Sequence, residues 1–178
     1  MITVISGTNR LSSNTRVFAV HFQQLLLELG APSQLLDLAD YEASSFLTHR
    51  YESGTMTEEL RALQERFLFR ADKVVFFVPE YNGSYPGVVK LFIDGLSVHR
   101  YDEMFSGKKI ALLGVSTGRA GNLRGIDHLA DVIAHMGGWV FPNKLPLSSV
   151  GGLIEDGQLT DPDTIATLKT HAEQLIAA

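Results

Sequence analysis

Residues Lys73 to Val78 read Lys-Val-Val-Phe-Phe-Val, an apolar run in which polar and apolar positions do not alternate. A strand with one wet face alternates; this one needs cover on both faces, which is the condition of a central strand in a parallel sheet. Parallel neighbours require crossover connections, and helical crossovers place helices on both sides of the sheet. The rest of the chain reads accordingly. Ile2-Thr3-Val4-Ile5 is a β-branched run. Val17 to Leu29 carries apolar residues at helical spacing and is closed by Gly30. Gln34 to Leu38 reads as a second strand, and Thr57-Glu58-Glu59 opens a helix reaching about Ala71. Pro86 suits the first turn of a helix over Gly87 to Leu96. Lys109 to Val115 is a fourth strand, Leu123 to Met136 a fourth helix, and Trp139-Val140-Phe141 begins a fifth strand. Asp161 is placed to cap a closing helix over Pro162 to Ile176. Five strand–helix units imply a three-layer α/β/α sandwich around a five-stranded parallel sheet. Residues 1–178 show no repeat, low-complexity tract or linker, so one domain is expected. Residues 39–55 are irregular and polar, too long for a plain connector, and read as a surface loop or lid.

The chain contains no cysteine, which excludes a disulfide scaffold, a cysteine zinc site, an iron–sulfur cluster and a cysteine nucleophile. Any redox chemistry must therefore come from a bound cofactor. With 20 acidic against 15 basic residues the formal charge is -5, which argues against nucleic acid as a partner. Strand-like residues begin at Ile2 and no apolar run reaches membrane-spanning length, so a cytoplasmic location without a signal peptide or membrane insertion is expected. The six histidines show no metal-ligand spacing with carboxylates, and no metal site is expected. His128 and His135 read as one helix face, Lys90 and Asp94 as a helix pair, and Trp139 as a core residue.

In open parallel sheets the ligand lies beyond the carboxyl ends of the strands, at the switch in strand order. The loops after strands one, three and four are the places to search. Ser6 to Arg16 crowds hydroxyls, amides and a guanidinium against a helix N-terminus, where free N–H groups and the helix dipole favour an anion such as phosphate. The plainer reading is an N-capping loop using Ser13 or Asn14, which needs only one such residue. The segment lacks a Walker lysine and the Gly-x-Gly-x-x-Gly fingerprint. Pro79-Glu80-Tyr81-Asn82-Gly83-Ser84-Tyr85-Pro86-Gly87 is stiffened by two prolines and offers a flat π-face beside an amide, as a planar heteroaromatic ring with polar edges requires. A turn feeding Pro86 into its helix explains Pro86 and Gly87 but not Glu80-Tyr81-Asn82. Ser116-Thr117-Gly118-Arg119-Ala120-Gly121-Asn122 is either a simple glycine-rich turn or a third ligand edge approached by backbone N–H groups.

Together these loops resemble the NADPH-dependent FMN reductase family, the flavodoxin-like group that includes quinone, azo and chromate reductases. The resemblance is carried by Gly7-Thr8-Asn9-Arg10 with Ser12 to Asn14, by Pro79 to Ser84 continuing through Pro86-Gly87-Val88-Val89-Lys90 to Ile93-Asp94, and by Ser116 to Gly121. It implies strand order 2-1-3-4-5 and non-covalent FMN. By position, Thr8, Arg10, Ser12, Asn14 and Thr15 would hold the phosphate. Pro79, Glu80, Tyr81, Asn82 and Gly83 would line the ring and ribityl chain, with Ser116, Thr117, Gly118 and Arg119 at the far edge of the ring. It also implies NADPH or NADH as co-substrate, ping-pong hydride transfer to a small-molecule electron acceptor without an essential acid–base residue, and a homodimer or homotetramer. The sequence departs from the family at Leu91, where Asn is usual, at Gly95, where a large aromatic is common, and at Asn122, where a second glycine is frequent.

Two other readings compete. A flavodoxin-type electron carrier or flavin-bound regulator would share the fold but never meet NAD(P)H. A serine hydrolase is suggested by Gly114-Val115-Ser116-Thr117-Gly118, with Asp161 or Asp163 and then His171 in triad order. His49-Arg50 is a candidate for reading the 2′-phosphate of NADPH.

Overall fold

The computed structural model describes residues 1–47, 52 and 54–178. Strands β1 (Ile2–Ser6), β2 (Ser33–Asp37), β3 (Lys73–Pro79) and β4 (Lys109–Val115) form a parallel sheet in the order β2-β1-β3-β4, completed beyond β4 by β5 (Trp139–Val140) and β6 (Leu145–Leu147). Within β3, Val74, Phe76 and Val78 enter one core while Val75 and Phe77 enter the other, all without solvent exposure. The unbroken apolar run is thus explained by cover on both faces. Truncating either Phe76 or Phe77 removes a fully buried ring, a change costing about 3–5 kcal/mol.

Helices α1 (Asn14–Glu28) and α6 (Pro162–Ala177) cover the face that holds Phe77, with Phe18, Phe22, Leu168 and Leu175 facing inward. The opposite face is covered by α2 (Glu58–Gln64), α3 (Gly87–Leu96) and α5 (Leu123–His135), and the short helix α4 (Tyr101–Met104) adds Met104 to that core. The capping chemistry follows the sequence. Thr57 accepts from the Leu60 N–H, and Asp161 accepts from the Thr164 N–H at 2.8 Å, which holds the Asp161 carboxyl below its usual range. Helix α1 begins three residues earlier than its apolar periodicity suggests, because Ser13 caps it and the first turn is polar. Helix α2 runs on into a π-helical turn at Glu65–Phe69.

The fifth strand is not continuous. Lys109 and Ile110 pair with Trp139 and Val140, then Leu113 to Val115 pair with Leu145 to Leu147. Between these ladders the facing chain has more residues than β4 and bulges outward at Pro142, which has no N–H to give. His171 of α6 secures the bulge: its Nε2 lies 2.8 Å from the Asn143 carbonyl, and the Asn143 amide reaches Gln174. Trp139 is not a core residue. It is 71% exposed, because its strand lies at the sheet edge and no layer covers the side chain.

A two-stranded hairpin, β7 (Ile154–Glu155) and β8 (Gln158–Leu159), precedes α6, turning on Asp156 and Gly157 in left-handed conformation. The polar segment after β2 makes short helical turns at Leu38–Asp40 and Ala43–Phe46. Phe46 is fully buried, packed edge-on against Phe92 of α3 at 5.6 Å. Its backbone carbonyl approaches so closely that a Cβ at Gly95 would lie 2.2 Å away. The small residue at position 95 therefore lets this segment dock on α3.

Candidate functional site

A half-open cleft of about 220 Å³ lies beyond the carboxyl ends of β1, β3 and β4. Its walls are the three loops singled out in the sequence: Thr8, Arg10, Ser12, Asn14 and Thr15 from the first, Pro79, Glu80 and Tyr81 from the second, and Ser116 and Thr117 from the third.

The first loop leaves β1 at Gly7, whose N–H donates to the Phe77 carbonyl at 2.8 Å. A Cβ at this position would lie 2.8 Å from Val78 Cγ1 and 2.9 Å from the Phe77 carbonyl oxygen, so only glycine lets the loop stay against β3. Thr8 is fully buried, and its hydroxyl accepts from the Arg10 N–H at 3.2 Å. Ser12 is left-handed, and Ser13 caps α1. Ser13 takes up the Arg16 N–H, but the N–H groups of Asn14 and Thr15 have no partner within the helix and the first turn holds no acidic side chain, so the positive end of the dipole faces the cleft. Arg16 is turned away and paired with the buried Asp37 at 2.9 Å. Arg10 lines the cleft and makes no ion pair among the described residues.

The second loop is a tight turn. Tyr81 and Ser84 exchange both backbone hydrogen bonds across Asn82 and Gly83, which are both left-handed. Asn82 and Gly83 do not line the cleft; they supply the positive φ angles that such a turn demands. The Ser84 hydroxyl lies 2.9 Å from His128 Nδ1, which ties the turn to α5. In the third loop the Ser116 hydroxyl donates to Glu80 Oε2 at 3.0 Å and accepts from the Gly118 N–H at 3.0 Å. Gly118 and Arg119 also stand outside the cleft lining, and Arg119 is solvent-exposed.

Two lining residues carry no expectation from the sequence as cleft residues, Val115 and Val150, whereas Ser13 belongs to the hydroxyl-rich first loop and also caps α1. Val115 is the buried end of β4, and Val150 arrives from the turn after β6 through its N–H to the Ser116 carbonyl. An apolar residue at a strand end carries no local mark of a ligand wall. His49 and Arg50 lie outside the described residues.

The hydrolase constellation is not assembled. Ser116 is bonded to Glu80, Asp161 caps α6, and His171 is held by the Asn143 carbonyl between the rings of Phe22 and Phe141. Burial lowers the His171 pKa, and its Nδ1 is enclosed without a partner.

Strand order 2-1-3-4-5 with a ligand cleft at its switch point is the topology of flavodoxin. The chain belongs to the NADPH-dependent FMN reductase family, whose sequence profile matches residues 1–151. An NAD(P)H-dependent FMN reductase of Pseudomonas aeruginosa is 39% identical over 135 residues, covering 76% of this chain and 69% of the relative. A quinone reductase of Escherichia coli strain K12 is 33% identical over 138 residues, covering 78% and 67%. Among solved structures, the flavoenzyme NAD(P)H:(acceptor) oxidoreductase FerB of Paracoccus denitrificans superimposes with a TM-score of 0.82 at 23% identity, covering 99% of this chain and 94% of that one. The chain is accordingly an oxidoreductase of a family with FMN as flavin and NAD(P)H as co-substrate. The residues present fit that group: a helix N-terminus with free N–H groups, several hydroxyls and one guanidinium suit a phosphate ester, and an aromatic side chain beside polar groups suits a flat heterocycle. Among the described residues no helix is long and apolar enough to cross a membrane.

Proposed function

We propose that this chain, acting as one domain over residues 1–178, passes reducing equivalents from NAD(P)H through FMN to a small acceptor. The acceptor is a quinone first of all, given the quinone reductase relative, with azo compounds, metal oxyanions and free flavin as further members of the class. The observation that carries the reading is the convergence of an anion-receiving loop and an aromatic, polar loop on one cleft.

Thr8, Arg10, Ser12, Asn14 and Thr15 hold the phosphate, the backbone N–H groups of α1 pointing at it and Arg10 adding the cationic partner. Pro79, Glu80 and Tyr81 support the ring and ribityl chain, with Asn82 and Gly83 setting the turn that presents Tyr81. Ser116, Thr117, Gly118 and Arg119 border the far edge of the ring. When bound, FMN supplies the hydride chemistry. The side chains contribute orientation and the exclusion of water from the inner face, while the open side admits the nicotinamide and the acceptor in turn, which gives ping-pong kinetics. No side chain is needed as acid or base for the hydride step. A homodimer or homotetramer is the expected assembly, in which a second copy of the chain would complete the cover of the half-open cleft. NADPH and NADH are both candidate donors, and the cytoplasm is the expected compartment.

The test is the absorption spectrum of the purified protein before and after anaerobic NADPH. Bound flavin whose visible band bleaches, and recovers when a quinone is added, supports the reading. A flavin that stays oxidised assigns the chain to electron carriage or flavin sensing, and a protein that takes up no FMN removes the reading.

A further inference from the structure

Asn122 stands between the second and third loops and is 1% exposed. Its side-chain amide nitrogen donates to the Val78 carbonyl at 3.0 Å and to the Pro79 carbonyl at 2.9 Å. The peptide joining Pro79 to Glu80 is held from its other side too, because the Glu80 N–H donates to the Val115 carbonyl at 3.0 Å. Both polar atoms of the first peptide of the ring loop are therefore fixed, one by Asn122 and one by β4. Pairing of β3 with β1 ends at Phe77, while β4 stays in register through Pro79, so Asn122 adds side-chain donors to the carbonyls at the very end of β3.

The surroundings are shaped for this amide. A Cβ at Gly125 would lie 2.1 Å from Asn122 Oδ1, and a Cβ at Gly114 would lie 2.1 Å from the Gly121 carbonyl and 3.1 Å from Asn122 Cβ. Gly125 thus leaves the room that the Asn122 amide fills, and Gly114 leaves room for the backbone that carries it. The residue also bears local costs: its backbone is left-handed, with φ 60°, and its Oδ1 is buried without a partner. Glycine would remove both costs, so the side chain is retained in spite of the local backbone.

We propose that Asn122 is a positioning residue for the flavin: it clamps the Pro79–Glu80 peptide and so sets the angle at which Glu80 and Tyr81 meet the isoalloxazine ring. The inference rests on the flavin reading above. Asn122 touches neither ring nor substrate and acts through the second loop.

The experiment compares the wild-type full chain with Asn122→Gly and Asn122→Asp. FMN affinity is read by fluorescence quenching, the environment of the bound ring by visible circular dichroism, and the fold by thermal unfolding. Asn122→Gly suits the left-handed backbone and deletes the clamp. Asn122→Asp keeps the size but turns oxygen lone pairs toward both carbonyls. Both variants are expected to bind FMN at least tenfold more weakly and to change the visible dichroism of whatever flavin they retain. A lower unfolding temperature with wild-type FMN affinity and dichroism would mean a purely structural residue and overturn the inference. If one variant does not fold, the other decides on the same two readouts. If neither folds, the clamp belongs to the fold and the inference is overturned. A wild-type chain that binds no FMN overturns the flavin reading and this inference with it, whereas normal binding by wild type and both variants overturns the inference alone.

Discussion

The Thr8 and Tyr81 hydroxyls lie 2.7 Å apart, joining the loop after β1 to the loop after β3 by a side-chain hydrogen bond. Thr8 is fully buried and holds the Arg10 N–H with the same oxygen, so the hydroxyl pair links the guanidinium loop to the aromatic one. Tyr81→Phe removes that link and keeps the ring. A net hydrogen bond of about 1 kcal/mol corresponds to roughly a fivefold loss of FMN affinity. Titration of the variant beside wild type checks it, and unchanged affinity would show that the two loops are set independently.

Arg10 is the guanidinium of the cleft without a carboxylate partner among the described residues. Arg10→Ala is expected to weaken FMN binding roughly 10- to 100-fold, the equivalent of a charged hydrogen bond worth about 1.5–3 kcal/mol. The unfolding temperature should hardly move, because the side chain is exposed. Riboflavin, which lacks the phosphate, serves as control: its affinity should be the same for wild type and variant. An equal loss for both ligands would move Arg10 from the phosphate to the ring.

His171 makes stability depend on pH. Burial lowers its pKa below the ordinary value near 6.5, and its enclosed Nδ1 has no acceptor for a second proton. Below pH ~6.5 the unfolded chain takes up a proton that the native chain resists, so stability is full above that point and falls as the pH drops toward the folded value. The unfolding temperature should be level above the unfolded-state value and decline as the pH falls below about 6.5. His171→Leu loses the bond to the Asn143 carbonyl and should unfold earlier at pH 8, but with a flatter acid slope. The residual slope includes His21, whose pKa burial also lowers against the opposing charge of Glu28. An unchanged slope in the variant would place the titration elsewhere.

The parts of this structure that could be read in the sequence are those where one local pattern has one physical meaning. Lys73 to Val78 could only be buried on both faces, and Thr57, Asp161 and Gly30 mark helix ends by their chemistry. Trp139 misleads because hydrophobicity says nothing about whether a strand lies at an edge, and only the sheet order settles that. The split of the fifth strand is foreshadowed by Pro142, but its bulge depends on His171 and Gln174 arriving from the far end of the chain. Asp156-Gly157 is a hairpin signal that stands in the sequence, and the flanking strands are too short to show alternation.

At the site, the loop positions follow from topology and the hydroxyl-rich composition, so the cleft was legible in outline. Asn82 and Gly83 show where the sequence is ambiguous. The same Asn-Gly pair suits a ligand amide and a tight turn, and the structure uses it for the turn. Val115 and Val150 belong to the wall through long-range hydrogen bonds that no local window contains.

Gly95 offers the sharpest test of the packing. Here the backbone of Phe46 lies over it: a Cβ would meet the Phe46 carbonyl oxygen at 2.2 Å, its carbon at 3.1 Å and its Cα at 3.3 Å. These are backbone atoms, so no side-chain rotation relieves the overlap, and the turn at Ala43–Phe46 must move away from α3. Phe46 then loses its edge-on contact with Phe92 and its contact with Tyr41. Gly95→Ala is expected to destabilise the fold by about 2–3 kcal/mol, lowering the unfolding temperature by roughly 5–10 °C for a chain of this size. Limited proteolysis should open first at the turn over Ala43–Phe46. FMN affinity should change little by comparison, because Gly95 sits near the end of α3 and outside the cleft lining. Reducing the ring at position 46 with Phe46→Ala in the same background leaves the backbone overlap in place, so it should not restore stability. Recovery in the double variant would show that the ring, and not the carbonyl, is what position 95 accommodates.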